Sequence, residues 1–146
     1  MTLTVADLFA RRAAEAARKR AEAEAAAETA RAERAAYAEK VMSYKLTEED
    51  EARAMAKIAR AFEDGEREVM LAHFPSSLCG DSGRRINNQL EGWQETLPGA
   101  FHDVYRWWET KLKPGGFGFA ARVISYPNGM PGEVGIFVTW PKDLEA

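Results

Sequence analysis

Residues 10–36 read ARRAAEAARKRAEAEAAAETARAERAA, a run in which no apolar side chain is larger than alanine. The other residues of the run are Arg, Lys, Glu and one Thr. Alanine and these long charged residues have high intrinsic helix propensity, but alanine buries little apolar surface. The run therefore predicts a long helix that builds no hydrophobic core of its own.

The residues around this run define where the helix begins and which face can pack. Thr4 can cap the helix with Asp7 at its third position, and Leu3 can pack against Leu8. Several alanines then recur at steps of three and four residues until Glu28 and Thr29 interrupt them, which favours close helix packing. We call this face the alanine stripe: Ala10, Ala14, Ala17, Ala21 and Ala25, resuming at Ala32 and Ala36.

A second helix is predicted from Thr47 to about Phe74. Thr47 and Asp50 have capping-box spacing, and Pro75 stops the apolar pattern that follows. We interpret this part of the chain as an alanine-rich, coiled-coil-like helical hairpin with a turn near residues 43–46. A single unbroken helix is the alternative. The apolar stripe of the second helix comprises Met55, Ile58, Phe62, Val69 and His73.

The composition of the chain changes at Pro75. All glycines except Gly65, all six prolines and all four tryptophans lie at or after this residue. Breakers and large aromatic residues are typical of a compact, turn-rich fold with a substantial core. The sequence therefore predicts an α+β protein with two parts, a helical hairpin or arm over residues 1–74 and a compact α+β domain over residues 75–146.

Two short helices and a β-hairpin are predicted in the compact domain. Asp81 or Ser82 can cap the first helix, and Pro98 fits the first turn of the second. Residues 117–126 and 134–140 alternate between apolar and polar side chains around a turn-rich loop, which indicates a β-hairpin. Two strands alone are marginally stable in water, so we expect one face of the hairpin to pack on the helices. The helices carry Ile86 and Leu90, and then Phe101, Val104, Tyr105, Trp108 and Leu112.

The length of the first helix indicates a function for the whole chain. A helix from Val5 to about Ser43 is roughly 60 Å long, whereas a compact chain of this size is roughly 40 Å across. We expect the excess length to stay solvated, to fray, or to pack against another chain. Long periodic helices favour the last outcome. We therefore predict a non-enzymatic structural or interaction protein whose partner is a protein, either another copy or a larger assembly, with contacts at the alanine stripe and Trp107.

A polar cluster between residues 76 and 88 gives an alternative function. Its glycines allow tight turns, a helix start offers amide groups, and its arginines supply positive charge, so it could bind or hydrolyse a small anionic ligand. Its spacing matches no nucleotide-binding fingerprint, and the same residue types commonly cap helices and bond to loop backbone. The candidate ligand-binding residues are Cys79, Asp81, Ser82, Arg84, Arg85, Asn87 and Asn88.

Other chemistries have less support in the sequence. Thiol catalysis would need Cys79 with His73 or His102 as the base, but nothing in the spacing brings these groups together. A metal site from the same residues and Asp81 lacks paired-ligand spacing. We expect no catalytic residue, no metal and no cofactor, and we lean away from an enzyme.

Charge and hydropathy bear on partners and location. Twenty basic and twenty-three acidic residues give a net charge of −3, which disfavours nucleic acid as a partner. The basic residues from Arg11 to Arg20 are interleaved with glutamates, which is typical of a solvated helix face; an adaptor that reads nucleic acid through the arm is the third hypothesis. The sequence has no signal-peptide pattern, no membrane-length apolar run and one cysteine. We expect a soluble cytoplasmic protein that does not enter a membrane.

Overall fold

The computed structural model of the chain describes residues 2–144 and mixes helices with an antiparallel sheet. It divides into two compact units, Met1–Lys40 and Val41–Ala146, whereas the composition step at residues 74 and 75 falls inside a strand. The elements in chain order are α1 (Val5–Ser43), α2 (Glu48–Glu63), β1 (Glu68–Pro75), α3 (Arg84–Asn87), α4 (Gly99–Trp107), β2 (Gly118–Val123) and β3 (Glu133–Thr139).

The predicted first helix is present as α1, which has 39 residues. Thr4 caps it: the Thr4 hydroxyl accepts a hydrogen bond from the Asp7 amide at 3.1 Å, and the Asp7 carboxylate accepts one from the Thr4 amide at 3.2 Å. Along the helix, Arg18 pairs with Glu15 and Glu22 at helical spacing. Within residues 2–40 no side chain is buried. The helix is therefore specified by local interactions, as its composition predicted.

The prediction of a second helix reaching Phe74 is wrong beyond Glu63. The expected capping box at Thr47 is present, so α2 begins where the sequence indicated. The helix then ends at a turn in which Gly65 has a φ of +83°, a conformation that glycine adopts without steric cost. Residues 68–75 form β1, so Val69 and His73 belong to a strand, and the His73 side chain is 57% exposed rather than packed.

Because residues 68–75 form a strand, the predicted helical hairpin of residues 1–74 is not formed over its full length. Residues 44–47 between α1 and α2 are not helical, so the alternative of one unbroken helix is wrong. However, α2 packs on β1, and its Ile58 is buried in a core cluster with Val138 of β3. The sheet therefore covers Ile58, whereas Met55 and Phe62 of the predicted stripe are 42% and 64% exposed.

The three strands are ordered β1-β3-β2, and both pairings are antiparallel. The pairing of β2 with β3 is the predicted β-hairpin, with Ala121 opposite Ile136. The third strand, β1, covers the other edge of β3 and places Phe74 opposite Val134. The central strand of the sheet is thus the last strand in the chain.

The core lies between one face of this sheet and the helices. Val134, Ile136 and Val138 of β3 are fully buried, as is Phe74 of β1. They pack against α3 and against the apolar stripe predicted for α4, which a π-helical turn at Trp108–Leu112 continues. The hairpin therefore rests on helices, as the sequence predicted.

Two residues differ from their predicted environments. Trp107, predicted to be available to a partner, is only 7% exposed, because Ile58 of α2 joins it in one core cluster. Leu90, predicted on the buried face of the first short helix, is 47% exposed, because α3 ends at Asn87 and Gln89 turns the chain with a φ of +53°.

The opposite face of the sheet is closed by an arginine. The Arg122 guanidinium lies 3.7 Å from the centre of the Phe137 ring and forms a two-pronged ion pair with Glu68 across the sheet. These hydrogen bonds keep the pKa of the Glu68 carboxyl below its usual value. Phe137 in turn covers Gly135, where a Cβ atom would lie 2.8 Å from the ring. With Arg122 over its ring, Phe137 is 7% exposed.

The first residue of α4 lies against the last turn of α1. A Cβ atom on Gly99 would lie 2.7 Å from the Cα atom and 2.8 Å from the carbonyl oxygen of Met42. The adjacent Val41 is buried. Only glycine allows the two backbones to approach this closely, because the atoms it would displace belong to the main chain.

The substitution Gly99→Ala should therefore lower the free energy of unfolding by roughly 2 kcal/mol, measured by urea denaturation of the full chain. Gly80→Ala is the matched control, because a Cβ atom there has no neighbour within 4 Å. We expect that control to change stability by less than about 1 kcal/mol. Equal effects of the two substitutions would contradict the close contact.

Candidate functional site

The polar cluster of residues 76–88 contains a turn held by Asp81. The Asp81 carboxylate accepts hydrogen bonds from the amides of Gly83 at 3.1 Å and Arg85 at 2.9 Å. The N-cap of α3 is Gly83, so the predicted cap by Asp81 or Ser82 is wrong; Asp81 instead binds two amides around the start of the helix, and Ser82 adopts a φ of +59°. Two amides that could have bound an anion are already bonded to a carboxylate.

An open cleft of about 470 Å³ lies beside this turn. Its volume is within the range of small-molecule sites. Arg85 also donates a hydrogen bond to the Glu91 carbonyl at 3.1 Å, which fixes the guanidinium at the wall of the cleft. Because two carboxylates and two guanidinium groups share the lining, the cleft has no excess charge with which to select an anion. Its lining residues are Asp81, Arg84, Arg85, Leu90 and Glu91.

The other candidate ligand-binding residues have structural partners. The Asn87 side-chain carbonyl accepts a hydrogen bond from the Tyr126 hydroxyl at 2.8 Å, and the Asn88 amide group donates to the Arg84 carbonyl at 3.1 Å. Neither asparagine lines the cleft, and nor does Ser82. The structure thus brings Asp81 and the two arginines together but separates the rest of the predicted set. Ligand binding here stays a prediction.

Cys79 is not arranged as a nucleophile. Its side chain is 5% exposed and belongs to the core cluster that contains Phe74 and Ile136. Burial, together with the negative charge of Asp81, raises the pKa of the Cys79 thiol to about 11. The two possible bases lie beside glutamates instead, with His73 3.7 Å from Glu133 and His102 3.8 Å from Glu95. At neutral pH the thiol is therefore protonated.

The described residues also bear on metal binding and on membrane insertion. Within residues 2–144, no three His, Cys, Asp or Glu side chains form a group that could hold a metal ion. None of the helices described there combines the length and apolar character needed to cross a bilayer.

The second candidate site is the surface of α1. All members of the alanine stripe are exposed, so they are accessible to a partner, whereas Trp107 is buried and is not. Large apolar residues also lie exposed at the start of the helix. Val5 is 68% exposed, Leu8 49% and Phe9 56%.

Sequence reasoning missed a second apolar pattern on α1. Phe9, Ala16, Ala23, Ala30 and Tyr37 recur at intervals of seven residues, a spacing that signals a coiled-coil contact line. The residues that lie between them at heptad spacing complete a continuous line, interrupted only by two arginines. We call this line the heptad seam: Ala6, Phe9, Ala13, Ala16, Arg20, Ala23, Ala27, Ala30, Arg34, Tyr37 and Val41.

The buried, protonated thiol predicts slow chemistry at Cys79. Ellman's reagent at pH 8 should leave the folded chain essentially unlabelled and label it fully in about 8 M urea, because only unfolding exposes the thiol. Rapid labelling of the folded chain would show that the thiol is accessible.

The same thiol predicts a pH dependence of stability. The folded pKa of about 11 lies above the ordinary value of 9.0, so the unfolded chain releases this proton first. The contribution of the thiol to stability should be complete below pH 9 and should decline up to about pH 11. Urea denaturation of the native chain and Cys79→Ala measures it, since the difference between them should fall over this window.

The geometry of the cleft predicts that inorganic phosphate does not bind there. Phosphate at about 10 mM should leave the melting temperature unchanged, because Asp81 occupies the amides at the start of α3. A stabilisation that disappears in the double variant Arg84→Ala/Arg85→Ala would instead establish anion binding. Lys142→Ala, with a basic side chain that does not line the cleft, is the control for nonspecific charge effects.

No protein-family model, no curated protein and no solved structure matches this chain.

Proposed function

We propose that this chain is a non-enzymatic interaction protein that assembles with itself or with a larger protein complex through α1. The observation that carries the proposal is a 39-residue helix over whose residues 5–40 no side chain is buried. Such a helix presents a continuous surface to another chain.

Local interactions explain how α1 can exist before a partner arrives. Alanine-rich sequences have the highest helix propensity, and each pair of opposite charges at helical spacing adds roughly 0.2–0.5 kcal/mol. The Arg18 pairs with Glu15 and Glu22 and the Arg31 pair with Glu28 are of this kind. A partner therefore meets a preformed helix and loses less conformational entropy on binding.

The apolar side chains on α1 supply the driving force. Val5, Leu8 and Phe9 each leave about half or more of their surface in water, and covering apolar surface gains roughly 25 cal/mol per Å². The small side chains along the rest of the helix allow another helix to approach closely. These features favour a helical protein partner.

Two faces of α1 are available for such contacts. The alanine stripe from Ala10 to Ala25 is the surface predicted for a partner, and the heptad seam lies on a different side of the helix. A helix with two apolar lines can contact more than one neighbour, as in a bundle or a larger assembly. Trp107 is not part of this proposal because it is buried.

The rest of the molecule supports an interaction role over an enzymatic one. Cys79 is buried with a raised pKa, and the Asp81 carboxylate is occupied by two backbone amides. The net charge of −3 favours a protein partner over nucleic acid, and the single cysteine suits a reducing, cytoplasmic location.

Light scattering on the full chain tests this proposal. The apparent mass should rise between about 10 µM and about 1 mM protein if copies associate by mass action. The double variant Ala16→Glu/Ala17→Glu, which places one charge on each apolar face, should stay monomeric while circular dichroism shows unchanged helix content. Arg11→Glu is the control, because it changes the net charge by the same two units at a residue that belongs to neither apolar line. A strict monomer would remove self-assembly and leave a larger complex as the partner.

A further inference from the structure

Charge is distributed unevenly along α1. Residues 5–21 carry five basic and two acidic side chains, a net charge of +3. Residues 22–40 carry three basic and five acidic side chains, a net charge of −2. One half of the helix is therefore positive and the other negative.

We propose that α1 pairs with α1 of a second copy in the antiparallel orientation along the heptad seam; this inference rests on the proposed function of α1 as an assembly surface. The antiparallel orientation places the positive half of each helix beside the negative half of the other. It also sets the two helix dipoles in opposite directions, which is favourable for neighbouring helices. A parallel pair would oppose like charges along the whole contact.

The arginines within the seam discriminate between the two orientations. In a parallel pair, Arg20 would face Arg20 and Arg34 would face Arg34, since each seam residue meets its own equivalent. Like charges at the centre of a coiled coil are strongly unfavourable. In the antiparallel pair each arginine faces a different residue. The two Arg34 side chains then lie far apart, which removes their repulsion, whereas the two Arg20 side chains lie in neighbouring layers of the contact and their repulsion is only reduced.

When the pair is centred between residues 21 and 22, charged and bulky side chains of one helix both find favourable partners on the other. In that register Arg20 lies within one turn of Glu24 of the second copy, and Arg12 lies within one turn of Glu33. Arg34 meets Phe9 of the second copy, where a guanidinium can lie over the ring. Phe9 already accepts this kind of contact from Arg12 of its own helix, 4.8 Å from the ring centre.

The seam is also continuous with an existing packing face. Its last member, Val41, is 6% exposed and buried within the unit Val41–Ala146. The preceding members from Ala6 to Tyr37 repeat the same spacing along the same helix, and Phe9 and Tyr37 are 56% and 41% exposed. Within one chain the seam residue Val41 is buried. A second copy would bury the preceding seam residues along α1 in the same way.

A matched pair of single variants tests which face carries the contact. Ala16 belongs to the seam and Ala17 to the alanine stripe, so Ala16→Glu and Ala17→Glu add the same charge to adjacent residues on different faces. By sedimentation equilibrium of the full chain, Ala16→Glu should weaken dimerisation at least about tenfold, because it places an unpaired charge in the contact. Ala17→Glu should weaken dimerisation far less, because residue 17 lies beside the seam, where its side chain can reach water.

Spin labels test the orientation. Arg11→Cys and Glu22→Cys are made separately in the full chain, with the unsubstituted chain as the labelling control for buried Cys79. Pulsed electron spin resonance should give a separation of roughly 30 Å between the labels at residue 11, since these residues lie near opposite ends of an antiparallel pair. Labels at residue 22 should lie close together in either orientation and so report that pairing has occurred.

The outcomes separate this inference from the proposed function. Close labels at residue 11 would show a parallel pair, and loss of the dimer with Ala17→Glu but not Ala16→Glu would show that the alanine stripe is the contact. Either result overturns the antiparallel seam and leaves assembly through α1 standing. A chain that never dimerises overturns the seam together with self-assembly, and leaves only the larger complex.

Discussion

The unit Val41–Ala146 depends on β3, because this strand is the only one of the three that pairs along both edges. Its backbone joins β1 and β2, and its residues Val134, Ile136 and Val138 lose all contact with solvent. Val134 and Ile136 belong to one core cluster and Val138 to the other, so the strand links the helices that cover the sheet. On the opposite face Phe137 is covered by the Arg122 guanidinium.

The unit Met1–Lys40 is stabilised by interactions of a different kind. Its helix is held by backbone hydrogen bonds, alanine propensity and ion pairs between neighbouring turns, and none of its described side chains is buried. A helix of this kind keeps its conformation without tertiary packing. Its side chains are therefore not needed for a core and can form an exposed surface. The uneven charge along α1 and the seven-residue spacing of its apolar residues are properties of such a surface.

The polar residues after Pro75 illustrate how a folded chain uses groups that resemble a site. Asp81 binds a backbone amide in a helix of four residues, Asn87 accepts a hydrogen bond from the Tyr126 hydroxyl, and Cys79 packs in the core. The arginines do meet at a cleft, but acidic groups share its lining. The fold thus places the Cys79 thiol, the two histidines and the arginines of the cleft in different surroundings.

The sequence by itself determined the features that rest on neighbouring residues: the long helix, the caps at Thr4 and Thr47, and the alternation that forms the β2–β3 hairpin. It did not determine β1, since the spacing of Val69 and His73 fits a helix until β3 supplies the hydrogen-bond partners of a strand. Nor could it place Trp107, whose burial requires Ile58 from an element more than forty residues away. The reason is the distance along the chain over which each interaction acts. Caps, helix propensity and periodicity act within a few residues, whereas strand pairing and burial need partners that only the folded chain brings together.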